Sequence, residues 1–171
     1  MRGFLLAGLA TASLMAGPAH AQTALPELPA ALKPSGMSPY LQMSATGVQI
    51  YTCGKNDAGA WAWIFKAPEA ALFDAEKKQI GKHYAGPTWE GMQGGKIVGA
   101  AKASAPAPEA GAIPWLLLDV KSREGSSVFT QAKGILRIST MGGVAPARGC
   151  DEAHAGQEAR VPYTASYVFL K

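Results

Sequence analysis

The chain has 171 residues, 48% of them hydrophobic and 16% charged, with a formal net charge of +4. That length suits one domain around one core. The charge is too mild, and too little clustered among aromatics, for a nucleic-acid surface, so that class of partner is excluded.

Met1 to Ala21 has the order of a secretory signal: Arg2, then the apolar stretch Phe4 to Ala16, then a small-residue cleavage site at Ala19-His20-Ala21. The apolar stretch is shorter than the ~20 residues that span a bilayer, and no later segment is longer, so no integral membrane span is expected. The expected product is periplasmic or secreted, with cleavage near Ala21.

Residues 22–46 read as an extended N-terminal arm, Pro- and Ala-rich at first, with Leu25, Leu28 and Leu32 able to tack it onto the domain surface. A single β domain is expected over 47–171. Val48 to Cys53 alternates as a half-buried strand does, and Gly54 to Gly59 supplies turn residues. Ala60 to Lys66 is a second strand with Trp61, Trp63 and Phe65 on one face, because side chains alternate along a strand. Pro68 to Phe73 reads as one helical turn opened by proline, followed by a reversal at Asp74 to Lys77.

Lys78 to Tyr84 and Thr88 to Met92 are strands separated by Gly86-Pro87, and Gln93-Gly94-Gly95 turns the chain into Lys96 to Lys102. Lys77, Lys78 and Lys82 read as a solvated cluster. Ile113 to Val120 is the most apolar run, Gly134 to Thr140 another strand, and Val161 to Leu170 a closing strand with Tyr163, Ala165, Tyr167 and Phe169 in one parity. Seven or eight short strands without a long 3.6-residue period predict a mainly β fold. The expected form is one antiparallel β-sandwich or barrel-like domain with little helix.

Cys53 and Cys150 are the only two cysteines, and in an exported chain an even pair predicts a disulfide. No Cys-x-x-Cys is present to suggest a redox pair.

The phrases Gly47-Val-Gln-Ile-Tyr-Thr-Cys53, His83-Tyr-Ala-Gly-Pro-Thr-Trp-Glu90, Ile113-Pro-Trp-Leu-Leu117, Thr140-Met-Gly-Gly143 and Val161-Pro-Tyr-Thr-Ala165 occur in that order. In combination they resemble a secreted bacterial and fungal family catalogued as domain of unknown function 3455, across nearly the whole chain after the signal. The resemblance implies a shared fold and no activity. Some fungal members carry a malate-dehydrogenase label, but this chain has no Gly-x-Gly-x-x-Gly after a strand and no βαβ unit, so no nicotinamide or other cofactor is expected.

The densest chemistry is His83 to Glu90, which places an imidazole, a phenol, an indole and a carboxylate around a Gly-Pro break. His83, Tyr84, Trp89 and Glu90 are therefore the candidate ligand-binding residues, with Trp89 first because of its place beside the turn. Two chemical readings attach to them. In the first, the domain is a cell-envelope or secreted binding module that holds a small molecule or a glycan against aromatic faces. In the second, it is a hydrolase-like extracytoplasmic enzyme with His83 and Glu90 as an acid–base pair.

A third reading is structural, the exported protein serving in the envelope or under stress with His83 bonded to backbone, Tyr84 and Trp89 in the core and Glu90 solvated. A metal site would require His83, Glu90 and His154 to converge across space, since no His-x-x-x-His or Cys/His cluster exists, and none is expected. No Gly-x-Ser-x-Gly elbow marks a serine nucleophile.

Overall fold

A computed structural model describes residues 25–171. The expected signal segment, residues 1–21, lies outside the described residues. Eight antiparallel strands follow one another around a closed barrel: β1 (Pro39–Lys55), β2 (Trp61–Phe73), β3 (Gln79–Tyr84), β4 (Thr88–Gly91), β5 (Lys96–Ala105), β6 (Trp115–Glu124), β7 (Gly134–Gly142) and β8 (Glu158–Leu170). Each strand pairs with its sequence neighbour, and β1 pairs with β8 to close the ring. Closure is how an antiparallel sheet removes its exposed edges.

Alternation decides what fills the lumen. Met43 and Ala45 of β1, Ala70 and Leu72 of β2, Trp89 of β4, Ile97 of β5, and Tyr163, Ala165, Tyr167 and Phe169 of β8 belong to one buried cluster. The outward positions carry ion pairs such as Lys82–Glu90, Lys102–Asp119 and Arg160–Glu69. This apolar-in, polar-out arrangement is the reverse of a barrel whose outer band faces lipid. No helix among the described residues is long and apolar enough to cross a membrane.

One end of the barrel is plugged. Residues 125–133, between β6 and β7, fold across it and insert Phe129, which is fully buried and packs on Phe169 with ring centroids 4.9 Å apart. Gly81 of β3 makes room for the plug: a Cβ there would stand 2.8 Å from the Phe129 ring. Tyr40 ties the segment down by donating to the Val128 carbonyl at 2.9 Å, and the Arg123 guanidinium donates to the Ala132 carbonyl at 2.9 Å.

The outer wall of β5 to β8 is not solvent-facing throughout. Trp115, Leu117, Leu136, Ile138, Val168 and Leu170 form a second cluster there, covered by Leu32, with Leu25, Leu28 and Met37 packed against it. The arm thus tacks onto the surface through the leucines named from the sequence. Leu32 is fully buried in a short 3₁₀ turn (Ala30–Leu32), a burial that contributes roughly 1.5–3 kcal/mol.

Two expectations are corrected. The arm ends sooner than residue 46: β1 begins at Pro39, and its first half pairs with β8 from Leu170 back to Thr164. Its lumenal residues Met43, Ala45 and Gly47 are small or flexible, so the alternation there is faint. Pro68 to Phe73 is not a helical turn but the second half of β2. Pro68 lies beyond the last β2–β3 pair, Ala70–His83, so its missing N–H costs no ladder bond on that side.

The Cys53–Cys150 disulfide is formed, with Cα atoms 5.3 Å apart, and ties β1 to the loop before β8.

Candidate functional site

β3 and β4 form a hairpin in which His83 stands opposite Trp89, Lys82 opposite Glu90 and Tyr84 opposite Thr88. Directly opposed residues share a face of the sheet and successive residues alternate between faces. His83 and Trp89 therefore point into the lumen together, while Tyr84 and Glu90 point outward. The structure unites the four candidate residues as two pairs on opposite sides of one wall.

The inward pair is packed. The imidazole stacks on the Trp89 indole with centroids 4.4 Å apart and planes 20° from parallel, and Tyr167 closes on both at 5.0 and 5.5 Å. Trp89 is 1% exposed, and Gly99 of β5 leaves space for it, since a Cβ there would meet its ring at 3.0 Å. His83 Nδ1 lies 2.8 Å from the Thr88 carbonyl, a contact that fixes Nδ1 as the protonated nitrogen of the neutral ring. Burial, reinforced by the positive charge of Arg137, lowers the His83 pKa to about 3 against the pull of the Thr88 bond. The ring is neutral at any pH the folded protein ordinarily meets.

The outward pair is solvated. Tyr84 donates to Glu90 Oε2 at 2.6 Å and Lys82 Nζ lies 3.4 Å from the same oxygen. The bond to the carboxylate, together with burial and the nearby negative charge, pushes the Tyr84 phenol up to about 12, and the same bond, with Lys82 and Lys96, holds Glu90 below its ordinary value.

The expected acid–base pairing of His83 with Glu90 is therefore not formed. In this hairpin opposed residues share parity, so His83 and Glu90 lie on opposite faces, and a base titrating near 3 is far from the operating pH of general catalysis. His154 joins neither residue: it sits in a surface 3₁₀ turn (Glu152–His154) with Nδ1 2.6 Å from Asp151 Oδ1.

The unplugged end opens into a cavity of about 230 Å³. Its wall includes His83, Trp89, Tyr167, Leu116, Leu118 and Arg137. Phe65, Lys66 and Pro87 stand at its rim, and the Lys66 amine is paired with Glu158 at 2.5 Å. The pairing register sets Arg137 between Leu116 and Tyr167. Its Nε and Nη2 donate to the Pro114 carbonyl at 3.2 and 2.8 Å, which fixes the guanidinium plane.

Burial raises Tyr163 and, more strongly, Tyr167 above their ordinary values, so both phenols are neutral beside it. The Tyr163 and Tyr167 hydroxyls approach to 3.4 Å. Trp89 Nε1 is buried and has no hydrogen-bond partner among the described residues.

Sequence reading missed Arg137, Tyr167 and the leucines of β6 as site residues. In Gly134-Ile-Leu-Arg-Ile the apolar residues occupy both parities, which marks a strand covered on both faces, and an arginine within such a strand is a buried charge. That signal was present but is visible only once the arm is known to cover the outer face.

The chain matches a family model described as a protein of unknown function, DUF3455, over residues 34–171. No curated protein and no solved structure matches it.

Proposed function

The chain belongs to the DUF3455 family, whose common fold assigns no activity, and from that premise we propose that it is an extracytoplasmic binding protein holding a small molecule in the open end of its barrel. The observation that carries this reading is the asymmetry of the lumen: Phe129 fills one end, while the other keeps a cavity of about 230 Å³ walled by the His83–Trp89 stack, Tyr167 and Arg137. Small-ligand sites are concave, mostly apolar and supplied with a few placed polar groups, and barrel mouths are a preferred location. A dry cavity of about 150 Å³ holds benzene, so this one suits a single ring with a short polar substituent better than a glycan chain. The disulfide and the order of charge, apolar stretch and cleavage site in residues 1–21 support export before folding.

The test is a thermal-shift series on the oxidised protein with single-ring compounds, beside a variant that fills the mouth, Ala101→Phe. Ala101 lines the cavity and is exposed, so the added ring can enter it without displacing core. A ligand at 100 times its Kd adds about 2.7 kcal/mol, a midpoint rise of several degrees. The expected result is a rise in the wild type that is absent in Ala101→Phe; equal rises in both would place binding elsewhere and sink the reading.

A further inference from the structure

We propose that the molecule held in the barrel mouth is a monovalent organic carboxylate of about one ring's size, its charged end bound by Arg137. This rests on the small-ligand reading above and names the chemical class it takes.

Arg137 is the cation of the cavity wall. It lies on β7 facing the lumen, half-buried, and makes no salt bridge to any acidic side chain among the described residues. Among the described residues, the charged pairs lie on the outside of the barrel or, for Lys66–Glu158, at the rim of the mouth. The bonds to Pro114 orient the guanidinium but engage only a neutral carbonyl, so they leave its charge uncompensated. Its titratable neighbours in the lumen do not compensate it either, because Tyr51, Tyr163 and Tyr167 are held protonated and His83 is held neutral. A charge half withdrawn from water into an apolar wall is incompletely solvated, and an opposite charge brought to it in that setting interacts more strongly than it would in bulk water.

The ligand's valence follows from this inventory. Lys66 at the rim is already neutralised by Glu158, so one negative charge balances the wall, and a dianion would leave a surplus in an apolar lumen. Carboxylate geometry fits the N–H groups of a guanidinium fork that face away from Pro114. Leu116, Leu118 and Trp89 then receive an apolar body, whose size is limited by a cavity of about 230 Å³.

Benzoate and its uncharged isostere benzamide, titrated calorimetrically into the oxidised protein, separate the two levels of inference. Benzoate is expected to bind about tenfold or more tightly than benzamide, the ratio that one charge-assisted hydrogen-bonded pair supports. Arg137→Gln should abolish the preference, bringing benzoate to the affinity of benzamide in the same variant, and Arg137→Lys should keep part of it. Added salt should weaken benzoate alone, a wild-type readout that does not depend on either variant folding.

Equal affinity for the two compounds, or a benzoate preference that survives in Arg137→Gln, would overturn the carboxylate assignment while sparing the small-ligand reading. Inorganic phosphate binding more tightly than benzoate would also overturn it. If neither ring compound binds at millimolar concentration, both inferences fall together.

Discussion

The two ends of this barrel are built from the same strands yet do opposite things. At the plugged end, Phe129 is fully enclosed and meets Phe169 over Gly81, so the lumen is filled there by apolar rings. At the open end the same ring of strands carries a neutral histidine, paired tyrosine hydroxyls and a half-buried arginine around a cavity. A close-packed interior tolerates few voids, so the space left in the lumen at the mouth marks the end that is unfinished as a core.

The sharpest way to break this contrast is to hollow out the plug. Phe129→Ala should cost about 3–5 kcal/mol in urea unfolding, as deletion of a fully enclosed ring does, while mouth binding per folded molecule is retained. A loss below about 1 kcal/mol would show that residues 125–133 are a surface flap and not core. Next in size is reduction of Cys53–Cys150, which closes a loop of sequence separation 97; thermal unfolding with and without reductant should differ by about 2–5 kcal/mol.

A smaller and more diagnostic effect concerns His83. Its folded-state pKa, near 3, lies below the ordinary 6.5, so between those values the unfolded chain binds a proton that the native protein does not. Stability should therefore fall as pH drops below 6.5, by roughly 1 kcal/mol per pH unit, and be unaffected by this group above 6.5. His83→Gln should flatten that dependence between pH 6.5 and about 5.5, above the range in which Glu90, Asp151 and Glu158, depressed in the folded state, begin to take up protons in the unfolded chain. An unchanged slope would mean that His83 is solvated in the native state.

The smallest effect is expected from Glu90→Gln on the outer face: a melting midpoint close to wild type and unchanged ligand binding, because exposed ion pairs contribute little. Its mark should be spectroscopic, a tyrosine titrating at lower pH once Tyr84 loses its carboxylate partner.

The sequence made the strand order and the little-helix β class legible because the turns are marked by Gly, Pro and Asp and because β8 alternates cleanly. It also exposed the disulfide, since two cysteines allow one pairing. The split of His83–Glu90 across a wall was readable in principle, because residue parity on a hairpin is fixed once the turn is placed at Ala85-Gly86-Pro87. What sequence alone did not carry was the partnership of Arg137 with residues from β4 and β8, which depends on ring closure. Nor did it carry the inward position of Arg137, which only the covering of Leu136 and Ile138 by the arm makes intelligible. The first half of β1 was missed because its lumenal side chains are small where the barrel is crowded by others: a Cβ on Gly47 would overlap Glu69 and Ala70 of β2.

The seam between β1 and β8 has a kinetic consequence. Every other pairing joins strands adjacent in the chain, but this one brings Pro39 to Leu170 and Thr52 to Glu158, and is sealed by reciprocal bonds between Ser38 and Lys171. Without β8, β1 to β7 would be an open sheet with two unsatisfied edges, and the lumen would lack Tyr167 and Phe169. Such distant pairing makes folding slow relative to helical proteins of the same size. Cys53 on β1 and Cys150 just before β8 come together across this same seam, so the disulfide locks the one pairing that chain proximity does not favour.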